Sequence, residues 1–346
     1  MSIEDLTNLP SELITMAHGS GGKATRKLIE DIFTSAFQPD GLEDQARLSN
    51  TALNAPGVQL ALTTDSFVVD PIEFPGGDIG KISVCGTVND LAVGGAQPLW
   101  LSAAFILEEG CEIALLRRIV ASMSKEAYLA GVRIVTGDTK VVGRGYADKV
   151  FITTSGVGII PPQRRLNSEN IRPGDVVIVN GVLGNHGATI LASRDNLALS
   201  TNLVSDCASL GHLMEAALNA APDLRTARDL TRGGLASALN EITHDTAFGI
   251  EIEEELVPLH QEVSGICEIL GLDPLYLANE GRLVLFVPED QAESTLKAMR
   301  SIEVGKGSRV IGRVVANHPG VVTIKTMYGG NRIVDTHIGE QLPRIC

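Results

Sequence analysis

Four short acids stand where the chain could do chemistry: Asp65 in TTDS, Asp90 in VNDLA, Asp138 in GDTK and Asp229 in DLTRGG. Alone, each fits a cap or turn residue. Together they are hard oxygen donors in Gly- or Thr-rich settings. Asp65 and Asp138 also read as closing apolar strands, where sites tend to lie. Such a set suits Mg2+, which takes carboxylates and completes its shell with phosphate oxygens and water. Lys140, two residues after Asp138, could meet a phosphate or a developing oxyanion. Spacing alone does not bring the four acids together. Glu280, in NEGRLV just before a strand, is either a solvated edge acid or a buried carboxyl with a raised pKa, suited to proton transfer.

Two glycine-rich stretches could approach a ligand closely. HGSGGK begins at His18 and runs through Gly19, Ser20, Gly21 and Gly22 into a helix. Converging backbone N–H groups there could cradle a phosphate; the alternative is a flexible linker. It is not a Walker A loop, because Ala17 and Ala24 replace the required Gly and Ser or Thr. NGVLGNHG misses the dinucleotide spacing and reads as a tight strand-to-helix turn, with His186 a surface histidine. Of the cysteines, Cys85, Cys111, Cys207 and Cys267 have neither C-x-x-C nor zinc spacing and read as inert thiols of a reducing compartment. Cys346, closing QLPRIC, is different. A thiol on a mobile end helps no core and invites oxidation, so it calls for a role.

The elements that must hold these residues follow from periodicity. Helices are expected over 23–37, 78–95, 112–131 and about 206–219, with one starting near 187. Strands are expected over 57–69, 98–107 and 282–288, and 132–142 and 149–160 read as a pair around GRGYAD. The Pro-rich, aperiodic stretch 161–175 reads as a domain boundary. Strand and helix signals alternate irregularly, which points to α+β layers. The expected organisation is an arm, glycine loop and helix over 1–50, a first domain over 51–163, a second over 164–335, and a mobile tail over 336–346 carrying Cys346.

Composition narrows the function classes. At 346 residues, 44% hydrophobic and 20% charged, the chain is globular and long enough for two cores. A net charge of −14 without any basic block argues against nucleic acid or anionic membranes as partners. A 4% aromatic content argues against a base-stacking platform. No apolar run is long enough to span a bilayer, and the first residues are acidic where a secretory leader is basic, so a cytoplasmic location is expected.

HGSGG, TDSFVVDP, NDLAVGGAQP, GDTKVV, DLTRGGL, NEGRLV and PRIC, in that order, resemble the motifs of the HypE family of hydrogenase maturation proteins. The resemblance runs from about residue 17 to residue 346, and PRIC separates the family from its relatives, the aminoimidazole ribonucleotide (AIR) synthetases, selenophosphate synthetases and thiamine monophosphate kinases. It implies a two-domain AIR synthetase-like (PurM-like) α+β fold. The N-terminal domain would form a dimeric β-barrel, the C-terminal domain an α/β sandwich, and the tail would be flexible. It also implies ATP with Mg2+ near the domain and subunit junction. Asp65, Asp90, Asp138 and Asp229 would be metal and phosphate carboxylates. His18 to Gly22, Asn89 and Thr139 would contact the nucleotide, and Lys140 and Glu280 would sit beside the reacting tail. Cys346 would receive a carbamoyl group from the carbamoyltransferase HypF. ATP-driven dehydration would turn the thiocarbamate into a thiocyanate, and the cyano group would pass to iron on the HypC–HypD complex. The acidic arm before His18 and the GYAD stretch carry no chemistry in this reading.

Three other readings compete. A free-substrate ATP-dependent synthetase or kinase would use the same acids and ignore Cys346. A non-enzymatic carrier would need Cys346 but neither Asp90 nor Asp138. A stray terminal thiol would have no role; CaaX prenylation is excluded, because the Cys is last rather than fourth from the end.

Overall fold

The computed structural model describes residues 12–40, 45–194, 201–336 and 344–346. The expectations for the acidic arm before residue 12 and for tail residues 337–343, Gly339 and Pro343 among them, lie outside these. In chain order the elements are α1 (Lys23–Leu28), continued by a π-helical turn (Ile29–Thr34) into α2 (Ser35–Phe37), then β1 (Gln59–Phe67), β2 (Glu73–Phe74), β3 (Gly77–Asp78), α3 (Ile79–Val93), β4 (Gln97–Glu108), α4 (Ile113–Ala130), β5 (Arg133–Val142) and β6 (Val150–Ile160). After the Pro-rich stretch come β7 (Val176–Val179), α5 (Asn185–Ala192), α6 (Gly211–Ala220), β8 (Thr226–Asp229), α7 (Gly234–Thr243), β9 (Gly249–Glu253), α8 (Gln261–Leu270), β10 (Leu283–Val287), α9 (Ala292–Arg300), β11 (Arg309–Val315), β12 (Val322–Lys325) and β13 (Asn331–Ile333).

The first half builds a four-stranded sheet in the order β1-β6-β4-β5. The expected pairing of 132–142 with 149–160 is not made: β5 and β6 flank β4 on opposite sides, β5 parallel and β6 antiparallel to it. α4 is a crossover that returns the chain parallel to β4 on one side, and β6 then takes the other edge of β4 instead of the free edge of β5. α4 is amphipathic and buries Leu116, Ile119, Val120 and Met123. α3 is buried nearly all round, because it lies between the sheet, α4 and the second half of the chain. Asp78 caps it by accepting the Lys81 N–H at 2.9 Å. Gly80 allows the close crossing, since a Cβ there would stand 2.4 Å from the Ile119 carbonyl.

The second half builds a seven-stranded sheet in the order β13-β12-β9-β11-β7-β10-β8. β7 (VVIV) and β10 (LVLFV) are buried on both faces, which is why they read as unbroken apolar runs. Val177 and Val179 join one core with Leu235 and Leu239 of α7. Val176 and Ile178 join another with Met214 of α6 and Met299 of α9.

Both ends of the chain make specific contacts within the described residues. The end of the N-terminal arm is tied down: Ile14 is fully buried, donates to the Cys111 carbonyl and accepts from the Gly110 N–H. Residues 344–346 of the tail are docked, as described below. By contrast, one face of the four-stranded sheet stays open, with Leu60 and Leu62 of β1 65% and 75% exposed. Among the described residues, no helix is long and apolar enough to cross a membrane.

Candidate functional site

Three of the four acids meet where the two sheets join through α3. Alternation along β1 points Thr63 and Asp65 toward α3. Thr63 Oγ1 donates to Asp90 Oδ2 at 2.8 Å. Asp65 lies against Gly86 of α3 and accepts the Ser66 N–H. Asp229 ends β8, which packs on the same helix. Burial pushes the Asp65 and Asp90 carboxyls up, and Asp65 pushes Asp90 further. Asp229 is pushed up to about 7, by burial first and then by Asp90. Arg232 stands close enough to favour the charged forms of Asp65 and Asp90.

The sign of the Asp229 shift gives a testable consequence. In the unfolded chain the carboxyl ionises near ~3.9. The stability penalty is therefore absent below about pH 4, grows as pH rises to about 7 and is complete above it. Without added cations, Asp229→Asn should melt about 2 °C or more above the parent protein at pH 8 and level with it at pH 4, as thermal scans at the two pH values would show.

Asp138 is not part of this group. It lies within β5 rather than at a strand end. β1 and β5 are the two edges of the sheet, three strand spacings or ~14 Å apart. The row of Asp65 runs through Thr154 and Ala103 to Gly137, so the next residue, Asp138, points to the opposite face. There Asp138 pairs with Lys140 at 2.6 Å, which holds its carboxyl below the usual range. Within one chain, then, three of the four acids come together and Asp138 stands apart. Among the described residues, no three His, Cys, Asp or Glu side chains stand close enough to hold a metal ion unaided.

Asp138, Thr139 and Lys140 instead line a cavity of about 330 Å3 with Gly19, Gly21 and Thr25. The volume falls in the ligand-pocket range. Gly22 caps α1, and Ser20 Oγ donates to the Ala17 carbonyl. His18 faces elsewhere: its Nδ1 accepts from the Thr15 N–H, and it lines a separate groove with Lys27 and Asp31. Asn89, expected at the nucleotide, here spends its side chain on the protein itself. It is buried, its amide donates to the Ala208 and Glu280 carbonyls, and its oxygen accepts the Leu210 N–H.

Those bonds place Glu280. Its carbonyl also accepts the Ala208 N–H, and its own N–H donates to Asp206 Oδ1 at 3.1 Å. Gly281 lets the segments touch, because a Cβ there would stand 2.0 Å from the Asp206 carbonyl. Glu280 is 2% exposed, and its Oε1 has no hydrogen-bond partner. Burial, with Cys207, Asp206 and Asp229 adding, holds the carboxyl well above its usual range. The choice left open by the sequence is therefore settled in favour of a dry, protonatable acid.

The end of the tail comes to the same region. The Val68 N–H, three residues beyond Asp65, donates to the Cys346 backbone oxygen at 3.0 Å, and the Asp70 N–H donates to the Arg344 carbonyl at 3.1 Å. Ile345 is buried in the N-terminal core, with Cys346 partly buried against it. Arg344 donates to the Val68 carbonyl and pairs with Asp148 at 2.5 Å. Arg194 Nη2 also donates to the Arg344 carbonyl, and His186 Nε2 meets the Ile345 carbonyl at 2.7 Å. His186 is fully buried, which corrects its reading as a surface histidine. Asp148, His186 and Arg194 are site residues that sequence reasoning missed. Asp148 was in plain view in GYAD, but only the fold brings it to Arg344.

Models of the AIR synthase related protein N-terminal and C-terminal domains match residues 43–160 and 172–325. The chain is 68% identical over 338 residues to the carbamoyl dehydratase HypE of Rhodobacter capsulatus, covering 98% of this chain and 99% of that one. A crystal structure of hydrogenase maturation protein HypE in complex with ATP superposes with a TM-score of 0.88 at 45% identity, over 96% of this chain and 99% of that one. HypE from a HypE–HypF complex superposes with a TM-score of 0.78 at 45% identity, over 90% and 99%. Matches of that extent, end to end through both sheets, mean that this chain belongs to the HypE family of carbamoyl dehydratases, within the AIR synthase related proteins.

Proposed function

We propose that the chain carries a carbamoyl group as a thiocarbamate on Cys346 and dehydrates it to a thiocyanate with ATP and Mg2+, supplying cyanide ligands for a [NiFe]-hydrogenase. The observation that carries this reading is the docking of Ile345 and Cys346 three residues from Asp65, against segments that also hold the buried carboxyl of Glu280. An amide oxygen is a poor leaving group; transferred onto phosphorus, it departs as phosphate. The oxygen of the thiocarbamate bonds to the γ-phosphorus as the bond to ADP breaks. The nitrogen loses two protons, and the C–O bond breaks to leave S–C≡N, ADP and phosphate. Glu280 takes one nitrogen proton and the departing phosphate the other. Lys140 faces the charge on the activated oxygen and the transferring group.

Mg2+, when bound, neutralises phosphate charge. The fit lies in Asp65, Asp90 and Asp229, oxygen donors of which Asp65 raises Asp90 and both raise Asp229, a repulsion that a cation relieves. Too few converge to form a cage, as suits an ion that shares its shell with phosphate and water. Gly19 and Gly21 with Asp138, Thr139 and Lys140 form the other wall of the nucleotide site.

The ~14 Å between the two walls supports a homodimer, in which the open sheet face around Leu60 and Leu62 is covered by a second copy to close a barrel. In such a dimer, β1 of one copy and β5 of the other can complete one site. A relative solved with HypF supports HypF as carbamoyl donor. An iron complex of the HypC–HypD kind is the acceptor, and the exchange takes place in the cytoplasm.

Intact-protein mass spectrometry tests the reaction. Protein carbamoylated at Cys346 should lose the mass of one water only when Mg-ATP is added, with ADP and phosphate formed in equal amount. Carbamoylated protein whose mass stays fixed while ATP is turned over would sink the reading.

A further inference from the structure

His186 is a buried histidine that the proposed chemistry does not use, and its hydrogen bonds define a direction. Its Nε2 stands 2.7 Å from the Ile345 carbonyl oxygen, which can only accept, so Nε2 carries a proton. Its Nδ1 stands 2.8 Å from Ser205 Oγ. That hydroxyl oxygen accepts the Cys207 N–H at 3.1 Å, leaving its own proton free to go to Nδ1. Ser205 is itself fixed by donating its N–H to the Pro75 carbonyl at 2.8 Å. The ring is held edge-on to Phe74, with centroids 5.5 Å apart, and is fully buried. Every hydrogen-bonding position of the imidazole is thus spoken for, in one neutral tautomer that presents a donor to the tail.

We infer that His186, oriented by Ser205, is the positioning residue that latches Ile345 and so sets how often Cys346 is presented to the dehydration site rather than to solvent or a partner. This rests on the function proposed above and adds a residue pair to it. The coupling is short. The 205–207 segment that orients His186 also receives the Glu280 N–H on Asp206, so one loop sets both the latch and the base. Contacts from Val68, Asp70 and Arg194 and to Asp148 fix the tail's backbone and Arg344, while His186 reaches in from α5 to the Ile345 carbonyl.

The test is alkylation of Cys346 in the full-length protein by iodoacetamide, followed by intact mass. Cys85, Cys111, Cys207 and Cys267 are all buried, so the first adduct reports the tail. His186→Phe keeps a flat ring and removes the donor. With the docked tail as the majority state, loss of one buried hydrogen bond at its usual net worth should raise the alkylation rate, which follows the minor undocked fraction, about fivefold, and should slow single-turnover dehydration by less than about twofold, with the ATP dependence unchanged. His186→Gln, which can place an amide N–H near the Nε2 position, should restore the alkylation rate to within about twofold of the parent protein. Ser205→Ala frees the tautomer and should fall between them. If His186→Phe proves unfolded in a thermal scan, Ser205→Ala carries the test.

Unchanged alkylation in both His186→Phe and Ser205→Ala overturns the latch. Equal behaviour of the Gln and Phe variants also overturns it, reducing the ring to packing. Loss of dehydration in the parent protein itself would strike the proposed function, while the alkylation comparison would still decide the latch.

Discussion

Cys346→Ala is expected to abolish thiocarbamate dehydration completely, while leaving the fold and nucleotide binding intact. The thiol has no substitute. Ala offers no atom to carry the carbamoyl group, and Cys346 is only partly buried, so removing its sulfur leaves no deep cavity. The backbone oxygen that accepts the Val68 N–H remains, so the tail still docks. The check pairs carbamoyl loading, read by intact mass, with ATP binding, read by calorimetry. A free-substrate synthetase or kinase would keep full turnover in this variant. An enzyme acting on its own tail loses everything, because tethering sets the reactant's effective concentration.

Glu280→Gln should slow the dehydration step by about 10²–10⁴-fold with little change in ATP affinity. Gln matches Glu in size, and the backbone bonds to Asp206, Ala208 and Asn89 do not involve the replaced group. What is lost is a carboxylate able to take a proton in a dry site. Because burial holds the Glu280 carboxyl well above its usual range, the resting acid is protonated at low pH and must ionise to act as a base. The single-turnover rate of the parent protein should therefore climb as pH rises through that titration, and the residual rate of the Gln variant should be flat. A parent profile that falls with rising pH would assign Glu280 the role of an acid instead.

The amino-acid sequence by itself determined the α+β class and most elements. Their apolar periodicities are local properties: the stripe of α4 and the unbroken runs of β7 and β10 can be read without knowing their neighbours. It also determined which residue types carry the chemistry. Carboxylates, glycines and a closing cysteine in fixed order form a motif set that no packing argument is needed to notice.

Only the tertiary structure decided which of these residues meet. Strand order is non-local, so nothing in 132–160 says that β4 separates β5 from β6, and it is this order that parts Asp138 and Lys140 from Asp65, Asp90 and Asp229. Burial is also non-local. Asn89 reads as a helix amide near an acid, yet two segments more than a hundred residues away consume its hydrogen bonds. His186 reads as a loop histidine, yet Ser205 on one side and Ile345 on the other close over it. Long-range contacts alone fix the surroundings, and hence the pKa, of Glu280 and the place of Cys346.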